Sequence, residues 1–197
     1  METRIMVIAL CASLSPKKNH NSPGSSTSQS KRCKYAGQSV RALPIRILTV
    51  GKKRSLGVQL LADEYIGKLK YYCNVDDIQV RSNPKNARDA RAQVDDEDMS
   101  VMNLISSDDW VVMLDEDGIE IGSEQMAELV GDAGNTGASR LLFCIGGPYG
   151  HGQRIRKRAN MSIRLSSMVL NHQIALLVLM EQLYRSWTIL KGQNYHH

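Results

Sequence analysis

"LLFCIGGPYGHGQRIRKRA", residues 141–159, is the stretch on which the reading turns. An apolar run stops at two glycines; a proline, a tyrosine, a third glycine and a fourth follow, and then a burst of arginine and lysine. The strand feeding the loop is fully apolar, so the loop sits at the rim of a core. Glycine lets main-chain N–H and C=O groups come close to a ligand, and Pro148 fixes one φ and stiffens the turn. The product is a stiff, backbone-lined pocket suited to a flat or polar small molecule. It is neither a dinucleotide fingerprint, which wants G-x-G-x-x-G opening straight into a helix, nor a P-loop, since no Gly-Lys-Ser/Thr follows.

Outward from that loop, strand-like and helix-like stretches alternate. "PIRILTV" (44–50) predicts a first strand ended by Gly51, and "LGVQLLADEYIGKLKYY" (56–72) has apolar residues at helical spacing. "DDIQVRS" (76–82) predicts a second strand, and the polar stretch 83–106 a helix in its later part. "WVVMLDE" (110–116) predicts a third strand, stopped by Asp117-Gly118. Ser123 is placed to cap a helix through "EQMAELVGD". "SRLLFCI" (139–145) and "MSIRLSSMVL" (161–170) predict further strands. Asn171 then caps a long helix, closed by Gly192. This alternation predicts an α/β fold with a largely parallel sheet. In such sheets ligands gather at the carboxyl ends of strands. That selects three segments: Leu114 to Gly118, the Gly146 loop, and the stretch ending at Leu170-Asn171-His172. The last helix is apolar on more than one face, which places it centrally in the core or against a second subunit.

The formal net charge of +5 is uneven. Residues 1–43 hold seven Lys/Arg and one acid, whereas the remaining 154 residues hold 18 basic and 19 acidic side chains. Any affinity for nucleic acid must therefore come from a local patch. Arg154, Arg156, Lys157 and Arg158 form one beside the glycine loop, read as a phosphate clamp. Residues 1–43 are Ser-rich, basic and nearly free of acid, the composition of an organelle transit peptide, with a chloroplast destination preferred over a mitochondrion. The domain proper is placed at 44–197.

Other chemistries find little support. Cys11, Cys33, Cys73 and Cys144 include no C-x-x-C pair, so no zinc or redox site is expected. Asp115, Glu116 and Asp117 are adjacent on a strand end, where successive side chains point to opposite faces, so they read as a turn rather than a metal site. A Rossmann dehydrogenase would need an acid about 20 residues past its glycines to grip the ribose, and the first one here is Glu181. No apolar run approaches the ~20 residues of a membrane span.

"CIGGPYG", then "LSSMVLNHQIALLVLMEQLYRSWTILKG", then the terminal "YHH" resemble the ribosomal large-subunit pseudouridine methyltransferase H family, S-adenosylmethionine-dependent enzymes of the SPOUT class. "ILTVGKKR" and "VVMLDEDG" also match that family, and the resemblance spans about residues 44–197. It implies a SPOUT-type α/β domain with a C-terminal trefoil knot, working as a homodimer, and methylation at N3 of a pseudouridine in large-subunit rRNA on the assembled ribosome.

Carried over by position, the resemblance places the cofactor at Leu114, Gly146, Leu165, Ser166, Ser167, Met168, Val169 and Leu170. It assigns catalysis to His172, with Tyr195 and His196 of the tail orienting the RNA base. Tyr149, Asn171 and His197 depart from the family's usual residues. A relative that keeps the fold and binds ribosomes without catalysis is the alternative that these departures favour.

Overall fold

The computed structural model describes residues 33–82 and 89–193. The elements run β1 (Ile45–Gly51), α1 (Leu56–Leu69), β2 (Val75–Arg81), α2 (Ala90–Met102), β3 (Asp109–Glu120), α3 (Ser123–Ala133), β4 (Arg140–Ile145), α4 (Gln153–Arg158), β5 (Met161–Arg164) and α5 (His172–Leu190). The five strands form one sheet in the order β2-β1-β4-β3-β5, and every pairing is parallel. The α/β expectation holds.

Parallel sheets are covered by helices on both faces, so their strands need apolar side chains at nearly every position. β4 shows why its run is unbroken. Leu141, Phe143 and Ile145 face a core shared with α1, α3 and α5; Leu142 and Cys144 face a second core with Ile155 of α4 and Val101 of α2. Successive strand residues point to opposite faces, so one short strand supplies both cores. β1 divides the same way, with Ile45 and Ile47 on the first side and Leu48 and Val50 on the second.

α5 packs against both α1 and α3. That position explains its apolar breadth: Leu176, Leu179, Met180, Leu183, Trp187 and Leu190 are all fully buried. Each such side chain contributes roughly 1.5–3 kcal/mol. Trp187 stacks on Tyr72 with ring centroids 5.9 Å apart. The helix starts and stops as its sequence dictates. Asn171 accepts from the Gln173 N–H at 2.9 Å. At the other end Gly192 adopts φ +63°, its N–H bonds to the Ile189 carbonyl, and Gln193 N–H reaches the Thr188 carbonyl, both at 2.9 Å. This is the 5→2 and 6→1 pair of a Schellman cap.

Three expectations are corrected. The third strand does not stop at Asp117-Gly118: β3 continues to Glu120, with a break in its register against β5 between Leu114 and Ile119. Gly118 there lies against β5, and a Cβ on it would sit 2.5 Å from the Ile163 carbonyl carbon. Glycine in this position permits close strand approach at an irregularity rather than a turn. Ser123 does not cap α3; Gly122 is the N-cap residue, Gln125 Oε1 accepts from its N–H at 2.6 Å, and the Ser123 hydroxyl donates to Gln182 on α5. The strand expected over 161–170 ends at Arg164, and residues 165–170 form a loop.

Residues 33–43, grouped with the leader on composition, lie on the core. Cys33 and Leu43 are buried, and Cys33 N–H donates to Glu124 at 2.9 Å. The Tyr35 hydroxyl donates to Asp132, and Gly37 N–H donates to the Leu190 carbonyl at 2.9 Å.

Candidate functional site

At the carboxyl ends of β4 and β5, beside the register break in β3, lies a cleft of about 680 Å³. Its walls are Leu114 to Glu116, Ile145 to His151, Ile163 to Ser166, and Met168 through His172, with Arg156 and Ala175. The structure thus brings together seven of the eight residues assigned to a cofactor, all but Ser167, and His172 with them. Tyr195 and His196 lie outside the described residues.

The glycine loop is rigid for reasons of space. A Cβ on Gly146 would come within 2.9 Å of the Gly150 carbonyl carbon. Gly150 has φ +78°, and its N–H closes the turn onto the Gly147 carbonyl at 3.0 Å. Below the loop, Glu97 of α2 is buried, with Oε1 accepting from Ser82 and from Gln93 at 2.9 Å. Its neighbour Asp98 does the capping that Gly152 cannot. The Asp98 carboxylate accepts from Arg154 N–H at 2.8 Å and Ile155 N–H at 2.9 Å, two of the donors a helix start leaves unpaired. Its side chain presses so closely on Gly152 that a Cβ there would collide with it.

Two histidines border the cleft. His151 Nε2 lies 2.9 Å from the Leu114 carbonyl, which can only accept, so the proton sits on Nε2. Burial pushes this imidazole below the usual histidine range, against the opposing pull of its bond to Leu114 and of Asp115. His172 opens α5, and its Nε2 is buried with no hydrogen-bond partner among the described residues. A Cβ on Gly51, at the end of β1, would lie 2.8 Å from that nitrogen, so the ring occupies the space a side chain would need. Desolvation, then the charge of Arg54, lowers its pKa. Arg54 is itself buried in a two-pronged pair with Asp77, with Nη2 to Oδ1 at 2.7 Å.

The basic cluster divides. Arg156 bonds Asp115 at 2.7 Å and reaches the His151 carbonyl at 3.3 Å. Arg158 donates to the carbonyls of Ser106, Ser107 and Asp109, at 2.9, 3.2 and 2.8 Å, holding the start of β3. Arg154 is 49% exposed and 3.7 Å from Asp98, while Lys157 is exposed with no ion pair among the described residues. Three of the four cations thus have a partner in the fold, Arg154 by the longest contact. Burial pushes the Cys144 thiol up to about 12 and Cys73 to about 11, so neither is poised as a nucleophile. Among the described residues there is no His/Cys/Asp/Glu group able to hold a metal ion, and no helix is long and apolar enough to cross a membrane.

Sequence reasoning missed His151, Glu97 and Asp98. His151 stood inside the motif, directly after its third glycine. The two acids sit in a helix whose polar pattern gives no sign that one face is buried.

A cleft at the carboxyl side of a parallel sheet, walled by a glycine loop and an apolar loop before the last helix, is where α/β proteins bind small-molecule ligands. Residues 43–196 match the family described as "Predicted SPOUT methyltransferase", and the chain belongs to that family. It is an RNA methyltransferase, and S-adenosylmethionine is the methyl donor of the class. It is 74% identical over 167 residues to an Arabidopsis thaliana protein named "Putative RNA methyltransferase", covering 85% of this chain and 86% of that one. It is 35% identical over 157 residues to the ribosomal RNA large subunit methyltransferase H of Christiangramia forsetii, covering 79% of this chain and 99% of the relative. Among solved structures, the tRNA (m1G37) methyltransferase of Aquifex aeolicus superposes with a TM-score of 0.47 at 14% identity, covering 72% of this chain and 69% of that one.

Proposed function

We propose that this chain methylates N3 of a pseudouridine in large-subunit rRNA on the assembled ribosome. The observation that carries the reading is the convergence of Leu114, Gly146 and the 165–170 loop on one cleft of about 680 Å³, within the range of small-molecule sites. The lining fits the methyl donor. Leu114, Leu165, Met168 and Leu170 supply an apolar slot for adenine, and the main chain around Gly146 supplies hydrogen bonds. The bound donor contributes a methyl group on a cationic sulfonium.

The protein's own part is orientation and proton handling. His172, held neutral by burial and by Arg54, lines the cleft and takes up the N3 proton. S-adenosylmethionine, held by Leu114, Gly146 and the 165–170 loop, would supply the methyl group to N3 as His172 takes the proton. Arg154 and Lys157 hold RNA phosphates beside the cleft.

The working unit is a homodimer with a knotted C-terminal segment. α5 begins at the cleft and runs 19 residues away from it, about 28 Å at 1.5 Å per residue. Tyr195 and His196 of the tail serve to orient the RNA base. Met168 and Val169 are 72% and 79% exposed, and Leu56, Leu60 and Ile174 add to that apolar surface. Ser55 N–H bonds Gln173 at 3.3 Å, which brings the starts of α1 and α5 together on this side. The Ser-rich leader directs the protein to the chloroplast; a fluorescent fusion of the full chain tests this, with mitochondrial import the rival outcome.

Transfer of labelled methyl from S-adenosylmethionine to ribosomes lacking the modification tests the function, with the product nucleoside identified by mass spectrometry. Firm ribosome binding with no transfer establishes the non-catalytic alternative suggested by Tyr149, Asn171 and His197.

A further inference from the structure

The cations of α4 are partly engaged by the fold, so free positive charge near the cleft has to be sought elsewhere. Lys52 and Lys53 follow β1 directly, are exposed, and have no ion pair or side-chain hydrogen bond among the described residues. They adjoin Gly51, the residue against which His172 packs. Arg81 stands opposite Gly51 in the β1–β2 register and is exposed as well. It shares a small groove with Asp96 and Glu97, so the two lysines supply most of the free charge on this side.

The backbone that carries them is pinned on both sides. Gln79 donates to the Lys52 carbonyl, and Ser82 N–H to the Gly51 carbonyl at 3.4 Å. Arg54, the next residue, is anchored in its buried pair with Asp77, and Ser55 is tied to Gln173 on α5. A tip fixed at both ends presents its two ammonium groups with little main-chain ordering left to lose on binding. Yet among the described residues the lysine side chains have nothing to hold. Compact ammonium groups on flexible stems suit phosphate as point charges, not carboxylate forks.

We propose that Lys52 and Lys53, with Arg81 behind them, bind the RNA phosphates that flank the base presented to His172. The inference rests on the ribosomal RNA reading above and names the side of the cleft over which the strand passes. Such contacts position the backbone and carry no sequence information themselves.

The experiment measures association of the full-length protein with purified bacterial-type ribosomes across a salt series, with affinity for S-adenosylmethionine measured in parallel. The K52E/K53E double variant is expected to bind ribosomes at least about tenfold more weakly, with the slope of log K against log salt shallower by about 0.7 for each phosphate that the variant leaves unneutralised. Affinity for S-adenosylmethionine and the melting temperature stay at wild-type values, and K52Q/K53Q falls between. Wild-type association and slope in K52E/K53E overturn the surface. So does a loss of S-adenosylmethionine binding, which assigns the lysines to the cofactor. So does a slope that responds only to R154E/K157E. A wild-type protein that transfers no methyl group to ribosomes overturns the functional reading instead, a separate result from any of these.

Discussion

His151 donates from Nε2 to the carbonyl of Leu114 across 2.9 Å, tying the glycine loop to β3 at the point where that strand's register against β5 breaks. The Arg156–Asp115 pair makes a second tie to β3 one residue further on. Two of the three walls are therefore fastened to each other before any ligand arrives, which lowers the ordering cost of binding.

Replacing His151 with leucine keeps the bulk and removes the donor. The Leu114 carbonyl is left unpaired in a largely buried place, at a cost of about 1–3 kcal/mol. Titration calorimetry is expected to show S-adenosylmethionine binding weakened about tenfold, with His151→Gln, which can still donate an N–H, recovering much of it. Equal affinity in the leucine variant and wild type would show that the strut does not hold the cleft.

The two histidines set a pH dependence whose sign is fixed. Both have pKa values depressed in the folded protein, so between that value and the ordinary ~6.5 the unfolded chain binds more protons. Stability then rises with pH through this window, and their contribution is complete above about 6.5. Thermal melts from pH 5 to 8 are expected to follow this sense, with a smaller slope in the His151→Gln/His172→Asn double variant. Methyl transfer follows a related course. Its kcat/KM falls on the acid side as His172 takes up a proton, and His172→Asn lowers kcat by about 10²-fold or more.

Gly146→Val places side-chain atoms where Gly150 main chain already stands. Binding of S-adenosylmethionine is expected to disappear in calorimetry, while far-ultraviolet circular dichroism retains the α/β signature. Retained binding would move the cofactor out of the assigned cleft.

Asp98→Ala strips α4 of both cap acceptors. Urea denaturation is expected to show a loss of about 1–2 kcal/mol, and Asp98→Asn, which keeps one oxygen, a smaller one. Since α4 follows the glycine loop directly, the KM for S-adenosylmethionine rises in the same variant.

The elements were legible wherever one physical signal ruled. The apolar run of β4, the cap at Asn171 and the closing Gly192 each carry a local chemical reason. β3 misled because Asp117-Gly118 is as good a turn signal as an irregularity signal. What separates them is Ile163, a neighbour from 45 residues downstream. Ser123 misled because its hydroxyl is drawn to Gln182 on α5, a tertiary contact invisible to local reasoning. The convergence of the three loops was expected from strand ends alone. The strut from His151 and the bracing of α4 by Asp98 were not, since both depend on side chains meeting across the fold. The arginine cluster read as one surface because charge runs look alike until their partners are seen. Arg158 turned out to hold the carbonyls that precede β3.

The clasp made by residues 33–43 bears on maturation. Tyr35 fills the space beside Gly131, and Gly37 ties off the end of α5. A processing peptidase that trims the leader upstream of Cys33 would release an enzyme with its hydrophobic interior sealed. A cut at residue 43 would uncover the flank of α3 and the last turn of α5 together, leaving a product exposed to further proteolysis. On the proposal that a leader is removed on import, the cut falls upstream of Cys33, which amino-terminal sequencing of the mature protein tests.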